Sequence, residues 1–233
     1  MEWNMAERAN DYRYERKYVL AGPEARELEM VLKTHPALFS EIYHERFVNN
    51  IYLDSLDMKN YFDTVFGSSL RRKVRVRWYG ELFGKIEKPV LEFKIKNGLL
   101  VKKEIFPLAG FDLDGSFRFE CLSRVFESSN IPEPVKLHLK FCRPVLLSRY
   151  RRRYYLSADG NYRITLDSRA EYCRLNAAHN AFLHRVADHF RVILELKFSP
   201  ADNEGVRMIT DHFPFRLEKN SKYVNGIEAI CLV

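Results

Sequence analysis

The chain has 233 residues, 46% hydrophobic and 30% charged, with 38 Lys and Arg against 31 Asp and Glu, a net charge of +7. That length fits one large domain or two small ones, and the basic balance favours anionic partners: nucleotides, inorganic phosphates, nucleic acid or a lipid surface. Four separated cysteines without a CxxC pair argue against a zinc or redox centre, and no apolar run approaches the roughly 20 residues of a membrane span.

Residues 1–10 read as a loose end without the apolar run of a secretory signal, so the expected location is cytoplasmic. "YRYERKYVL" (Tyr12–Leu20) alternates as a strand, and Pro23 opens a helix in "PEARELEMVLKTH". Arg46–Asp54 reads as a strand, and "DMKNYFDTVFG" as a short helix stopped by Gly67. The strand Arg71–Tyr79 follows, then a turn over Gly80–Gly84 and the strand Pro89–Asn97. Past Gly98, "LVKKEIFPL" is the hairpin partner of that strand. Gly115–Asn130 is an amphipathic helix with Phe119, Leu122, Val125 and Phe126 near one face. "VKLHLKFCRPVLLSRYRRRYYLS" reads as two strands broken at Arg143–Pro144, and Asp159–Ser168 as a turn and a strand. "NAAHNAFLHRVADHFR" reads as a helix running into the strand Val192–Ser199, and the tail ends helical. With no repeat or linker, residues 1–233 form one α+β domain with a mostly antiparallel sheet.

The strands share an unusual pattern. Val74, Val76 and Trp78 fall on one face of "RRKVRVRWYG", and Lys73, Arg75 and Arg77 on the other. Arg13, Glu15 and Lys17 share a face. So do Glu92, Lys94 and Lys96; Arg163, Thr165 and Asp167; and Glu195 with Lys197. An open sheet with its ionic side in water would explain any single strand through cross-strand ion pairs. Across the five strands, however, nine cations face four carboxylates, a repulsion that a bound polyanion relieves. The other geometry is a closed barrel of about eight strands, ionic side in, with helices outside. Such a lumen attracts phosphates, and its carboxylates suit a hard divalent cation.

In order and spacing, "RYERKY", "NNIYLDSLDMKNY", "RVRWYG", "LEFKIKNG", "YRRRYY", "YRITLDS", "ILELKF" and "SKYVNG" resemble the VTC (polyphosphate polymerase) domain. This family lies in the triphosphate tunnel metalloenzyme superfamily, with the CYTH proteins, and the resemblance covers nearly the whole chain. It implies an antiparallel eight-stranded tunnel barrel that binds ATP, triphosphate or polyphosphate and a divalent metal, Mn2+ or Mg2+. The implied activity is transfer of the ATP γ-phosphate to a polyphosphate chain in the tunnel. Catalytic positions carried over are Lys17, Arg75, Arg77, Arg152 (with Arg151 and Arg153 as register alternatives), Arg163 and Lys222. Arg13, Lys73, Lys94, Lys96 and Lys197 are implied contacts along the phosphates. Glu195 is the implied metal ligand, with Glu15 and Glu92 as further candidates. The superfamily's ExExK signature appears here as RxExK, beginning at Arg13; fewer carboxylates suggest one metal site and weaken a hydrolytic reading.

Alternative readings are a metal-dependent tunnel triphosphatase and a non-catalytic polyphosphate or nucleotide sensor. There is no GxxxxGK[ST] loop for a P-loop nucleotidase. His179, His184 and His189, five apart, do not share a helix face and read as packing or surface residues. Trp78, Phe93 and Ile95 lie opposite the cations, which counts against an RNA-binding face. A separate membrane-protein partner is a further expectation from the resemblance.

Overall fold

The computed structural model describes residues 12–177, 180, 182 and 184–231; the predicted loose end at residues 1–10 and His179 lie outside them. β1 (Arg13–Ala21) passes through Gly22 into α1 (Pro23–Lys33), which has Glu24 in its first turn to complement the helix dipole. β2 (Ser40–Asp54) starts at Ser40, earlier than Arg46, and is followed by α2 (Lys59–Val65). Next come β3 (Leu70–Tyr79), the short β4 (Gly84–Ile86), and the hairpin of β5 (Val90–Asn97) and β6 (Leu100–Pro107). Gly98 turns that hairpin at φ +56°, a left-handed backbone that a Cβ would strain. β7 (Phe111–Leu113) pairs with β4, and α3 (Phe119–Ser128) and α4 (Glu133–Leu139) follow. The rest of the chain is β8 (Arg143–Leu156), β9 (Arg163–Arg174), β10 (Arg185–Asp188), β11 (Arg191–Phe198), α5 (Val206–Thr210) and α6 (Lys222–Cys231).

The sheet closes on itself. Its order is β9-β11-β1-β6-β5-β3-β2-β8, and β8 pairs back to β9, so eight strands complete a ring with every pairing antiparallel. The β1–β6 seam is short: Arg13 faces Val101, and Tyr14 faces Leu100. Period-two alternation then forces a choice of side for each face. Val74, Val76, Trp78, Leu91 and Phe93 turn outward into a core completed by α3, α4 and the β4–β7 ribbon. Tyr18, Leu20, Ile164, Leu166, Leu194 and Leu196 turn outward beneath α1 and α5. The ionic faces are left pointing in. Helix α6 packs on β8 and β9 through Tyr223 and Ile227, at the end of the barrel where β2 stops and β3 starts. Among the described residues no helix is long and apolar enough to cross a membrane.

Three predicted elements differ. The stretch read as a helix before β11 is not helical where described. It supplies β10, which pairs Arg185–Asp188 with Cys173–Ala170 on the length of β9 that outruns β11. Satisfying that edge outweighs the local helix propensity of a segment with four alanines. His184 precedes β10, and His189 lies between β10 and β11, so neither belongs to a helix. "VKLHL", read as a strand, lies in α4: Pro132 takes φ −59° at its start, and Val135 and Leu139 pack one turn apart on the core. The predicted break at Arg143–Pro144 falls slightly earlier, at Lys140–Cys142, and β8 begins at Arg143. Pro144 faces Leu53 beside a register shift, where its missing N–H costs the ladder little.

Candidate functional site

The barrel holds a narrow, polar-lined cavity of about 60 Å³. Eight cations line it, Lys17, Lys73, Arg75, Lys94, Lys103, Arg152, Lys197 and Lys222, with two carboxylates, Glu15 and Glu195. Tyr52, Tyr150, Ser221 and Tyr223 complete the wall. Strands β1, β3, β8 and β11 each contribute two alternate residues and β2, β5 and β6 one each, while α6 and the residue before it deliver Ser221, Lys222 and Tyr223 through the end of the barrel.

Four carboxylates organise the cations. Glu195 receives Lys197 at 2.7 Å and Lys17 at 3.3 Å. Glu15 receives Lys94 at 2.5 Å and Arg13 at 3.1 Å, and Lys94 also stands 4.0 Å from Glu195. Asp167 takes a bidentate fork from Arg152 at 2.5 and 2.7 Å, and Lys222 joins it. Glu92, fully buried, holds Arg75 at 2.5 Å, Arg77 at 2.7 Å and Lys103 at 2.9 Å. Burial would raise each carboxyl's pKa, but the cations outweigh it. Asp167 sits at about 2, Glu15 lies below the ordinary carboxylate range, and Glu92 and Glu195 lie well below it. All four are therefore ionised near neutral pH.

Donors remain in excess. The Nε atoms of Arg75 and Arg77 are buried without a hydrogen-bond partner. Lys73 makes no salt bridge among the described residues and donates to Ser221 Oγ at 2.7 Å. Burial and its cationic neighbours hold its pKa well below the ordinary lysine value. Burial also brings Lys197 down from 10.5 to about 8, against the opposing pull of Glu195.

Nine of the fourteen residues singled out in the sequence meet at this cavity: Lys17, Lys73, Arg75, Lys94, Arg152, Lys197, Lys222, Glu15 and Glu195. The register of β8 selects Arg152, because Arg151 and Arg153 point outward to Glu45 and to Glu29 and Glu41. The other five stand off the cavity. Arg77 and Glu92 are buried on the inward faces without lining the cavity, Arg13 braces Glu15, Lys96 is half-buried beyond Lys94, and Arg163 opens β9 opposite Lys197. Glu92 is thus apart from the Glu15–Glu195 pair. Lys103, Asp167, Tyr52, Tyr150, Ser221 and Tyr223 belong to the site without having been singled out. Asp167 was visible on the ionic face of "YRITLD". Lys103 sits in a pair of lysines that gives no phase until the hairpin register sets it opposite Lys94.

The fold has solved counterparts. A Hippeastrum protein named as an adenylyl cyclase, with a dominant triphosphatase activity, aligns at TM-score 0.53 and 15% identity over 91% of this chain and 93% of its own. An adenylate cyclase candidate from Vibrio parahaemolyticus aligns at 0.53 and 13% over 93% and 98%, and the PH1819 protein of Pyrococcus horikoshii at 0.51 and 11% over 92% and 99%. No curated protein matches the chain in sequence. The VTC domain profile matches residues 12–231, nearly the whole chain, and the protein belongs to the VTC-domain family.

Proposed function

We propose that the lumen binds the phosphates of ATP and transfers the γ-phosphate to the end of a polyphosphate chain. One observation carries this reading: eight cations converge on two carboxylates in a closed, largely buried lumen. Arg75 and Arg152 offer phosphate oxygens the guanidinium N–H groups that Glu92 and Asp167 leave free, while Lys17, Lys73, Lys94, Lys197 and Lys222 act as point charges along them. Phosphoryl transfer asks mainly for alignment and for compensation of spreading negative charge, which fixed cations in a low dielectric provide.

The acceptor chemistry favours transfer to phosphate over transfer to water. All four carboxylates of the site are held ionised by their cations, which makes them weak bases for activating a water molecule. A terminal phosphate is already an anionic nucleophile and needs no such base.

Glu195 and Glu15 fit a divalent cation carried in with the phosphates. Both offer hard oxygens, yet among the described residues no three His, Cys, Asp or Glu side chains gather into a cage. Mg2+ and Mn2+ suit such a site, because one or two carboxylates and substrate oxygens suffice for their coordination. When bound, the ion supplies Lewis-acid neutralisation of phosphate charge.

Incubation with ATP and Mn2+ or Mg2+, with products resolved on a gel, tests the proposal. The expected outcome is ADP with a ladder of polyphosphate. Orthophosphate as the sole product would assign a hydrolase, and binding without turnover a sensor. Glu195→Ala is expected to stop turnover while nucleotide binding persists.

A further inference from the structure

The end of the barrel opposite α6 carries a cluster that phosphate chemistry does not use. On β3 the inward face runs Lys73, Arg75, Arg77, Tyr79, so Tyr79 continues the cationic row to the strand's last residue. It lies four residues beyond Arg75, about 13 Å along the strand. On β2 the face of Tyr52 and Asn50 continues through Val48 to Arg46, where β3 has ended and only β8 still pairs. On β8 the face of Tyr150 and Arg152 continues to Tyr154.

These residues meet at the rim. The Arg46 guanidinium lies 4.2 Å from the centre of the Tyr79 ring, 4.9 Å from that of Tyr154 and 5.2 Å from that of Tyr43. Tyr43 packs edge-on against Tyr154 at 5.5 Å. Arg77, from the lumen side, reaches the Tyr79 ring at 5.5 Å. Tyr43 and Tyr79 remain 38% and 39% exposed. Among the described residues no carboxylate forms a salt bridge with Arg46. Three rings therefore pin a flat cation that forms no salt bridge among the described residues, at the rim reached by the inward faces of β2, β3 and β8.

We propose that Arg46, Tyr79 and Tyr43 form a stacking platform for the base of a nucleoside triphosphate whose phosphates lie in the lumen. This rests on the phosphate-binding reading above and adds a direction to it. The nucleotide sits with its base at the Tyr79 rim and its γ-phosphate pointing inward toward Arg75 and Lys73. Flat π faces and a pinned guanidinium suit a base, because stacking needs no particular pattern of donors and acceptors on its edge. The end beside α6 holds Lys17, Lys73 and Lys222 around Ser221, and suits an all-phosphate chain.

Binding of ATP and of inorganic tripolyphosphate, measured by titration calorimetry on the wild-type chain, Arg46→Ala and Tyr43→Ala, tests this. The two ligands share their phosphates and differ in the base and ribose. ATP affinity is expected to fall about tenfold in Arg46→Ala and severalfold in Tyr43→Ala, while tripolyphosphate affinity stays within twofold of wild type. An equal loss for both ligands would make the cluster a brace of the barrel, and an unchanged ATP affinity would remove the base from this rim; either overturns the proposal. A wild-type chain that binds neither ligand would instead overturn the phosphate reading beneath it.

Discussion

Lys73 separates what the lumen does for folding from what it does for ligands. Its ammonium donates to Ser221 Oγ at 2.7 Å but forms no salt bridge among the described residues, and Lys17, Lys94 and Arg71 crowd it. A buried cation without a counter-charge costs stability. Lys73→Met, which keeps the stem and removes the charge, is expected to stabilise the free protein by about 1 kcal/mol, read as a higher urea midpoint at unchanged slope. The same change is expected to weaken tripolyphosphate binding about tenfold, since a charge-assisted hydrogen bond contributes ~1.5–3 kcal/mol. Opposite signs in the two measurements mark a residue kept for its ligand; lost stability with unchanged binding would mark scaffold. At this scale the sequence was informative where alternation sets the phase. Lys73, Arg75 and Arg77 announce one face because apolar residues intervene, whereas Lys102 and Lys103 do not. Pairings such as Asp167 with Arg152 depend on neighbouring strands and became visible only with the register.

Helix α6 is the element that links packing to the lumen. Gly226 sits where the helix crosses β8 and β9, and a Cβ there would lie 2.5 Å from Leu146 Cδ2 and 2.6 Å from Tyr172 Cδ1. The adjoining Tyr223 hydroxyl bonds the buried Asp54, whose other oxygen caps the backbone N–H groups of Ser55 and Asn60. Gly226→Ala is therefore expected to push α6 off the barrel, destabilising the protein by ~1–3 kcal/mol, and to draw Lys222 and Ser221 back from the cavity. Thermal unfolding and tripolyphosphate affinity are expected to fall together, and hydrogen exchange is expected to rise first in Lys222–Cys231. An unchanged melting temperature would mean that Leu146 and Tyr172 move aside freely. The long strands were legible at this scale because each carries a two-residue period, α1 because Pro23 opens it, α2 because Gly67 stops it, and α3 because of its amphipathic period. β10 was not, because nothing in its own residues records the unpaired edge of β9 that recruits it.

Across the whole molecule, most of the net charge of +7 is turned inward, and the barrel is held together against its own lining. Under the proposed function, a polyanion in the lumen is expected to act as a folding ligand as well as a substrate. At a hundred times its dissociation constant, tripolyphosphate is expected to add about 2.7 kcal/mol, raising the melting temperature by roughly 5–10 °C in a chain of this size. The gain depends on pH through Lys197. Burial holds this lysine at about 8 in the folded protein, against 10.5 for an ordinary lysine, so in the free protein it costs stability below pH 8. That cost fades as pH rises from 8 toward 10.5, because the unfolded chain holds the proton longer than the folded one. Phosphate oxygens beside the ammonium reverse the preference and keep the proton bound in the complex. The ligand-induced rise in melting temperature is accordingly expected to be largest below pH 8 and to shrink between pH 8 and 9.5. Calorimetry at pH 8.5 in two buffers of different ionisation enthalpy is expected to show net proton uptake on binding. A rise in melting temperature that is flat across this range, with no buffer dependence, would place the phosphates away from Lys197 and confine them to the arginine side of the lumen.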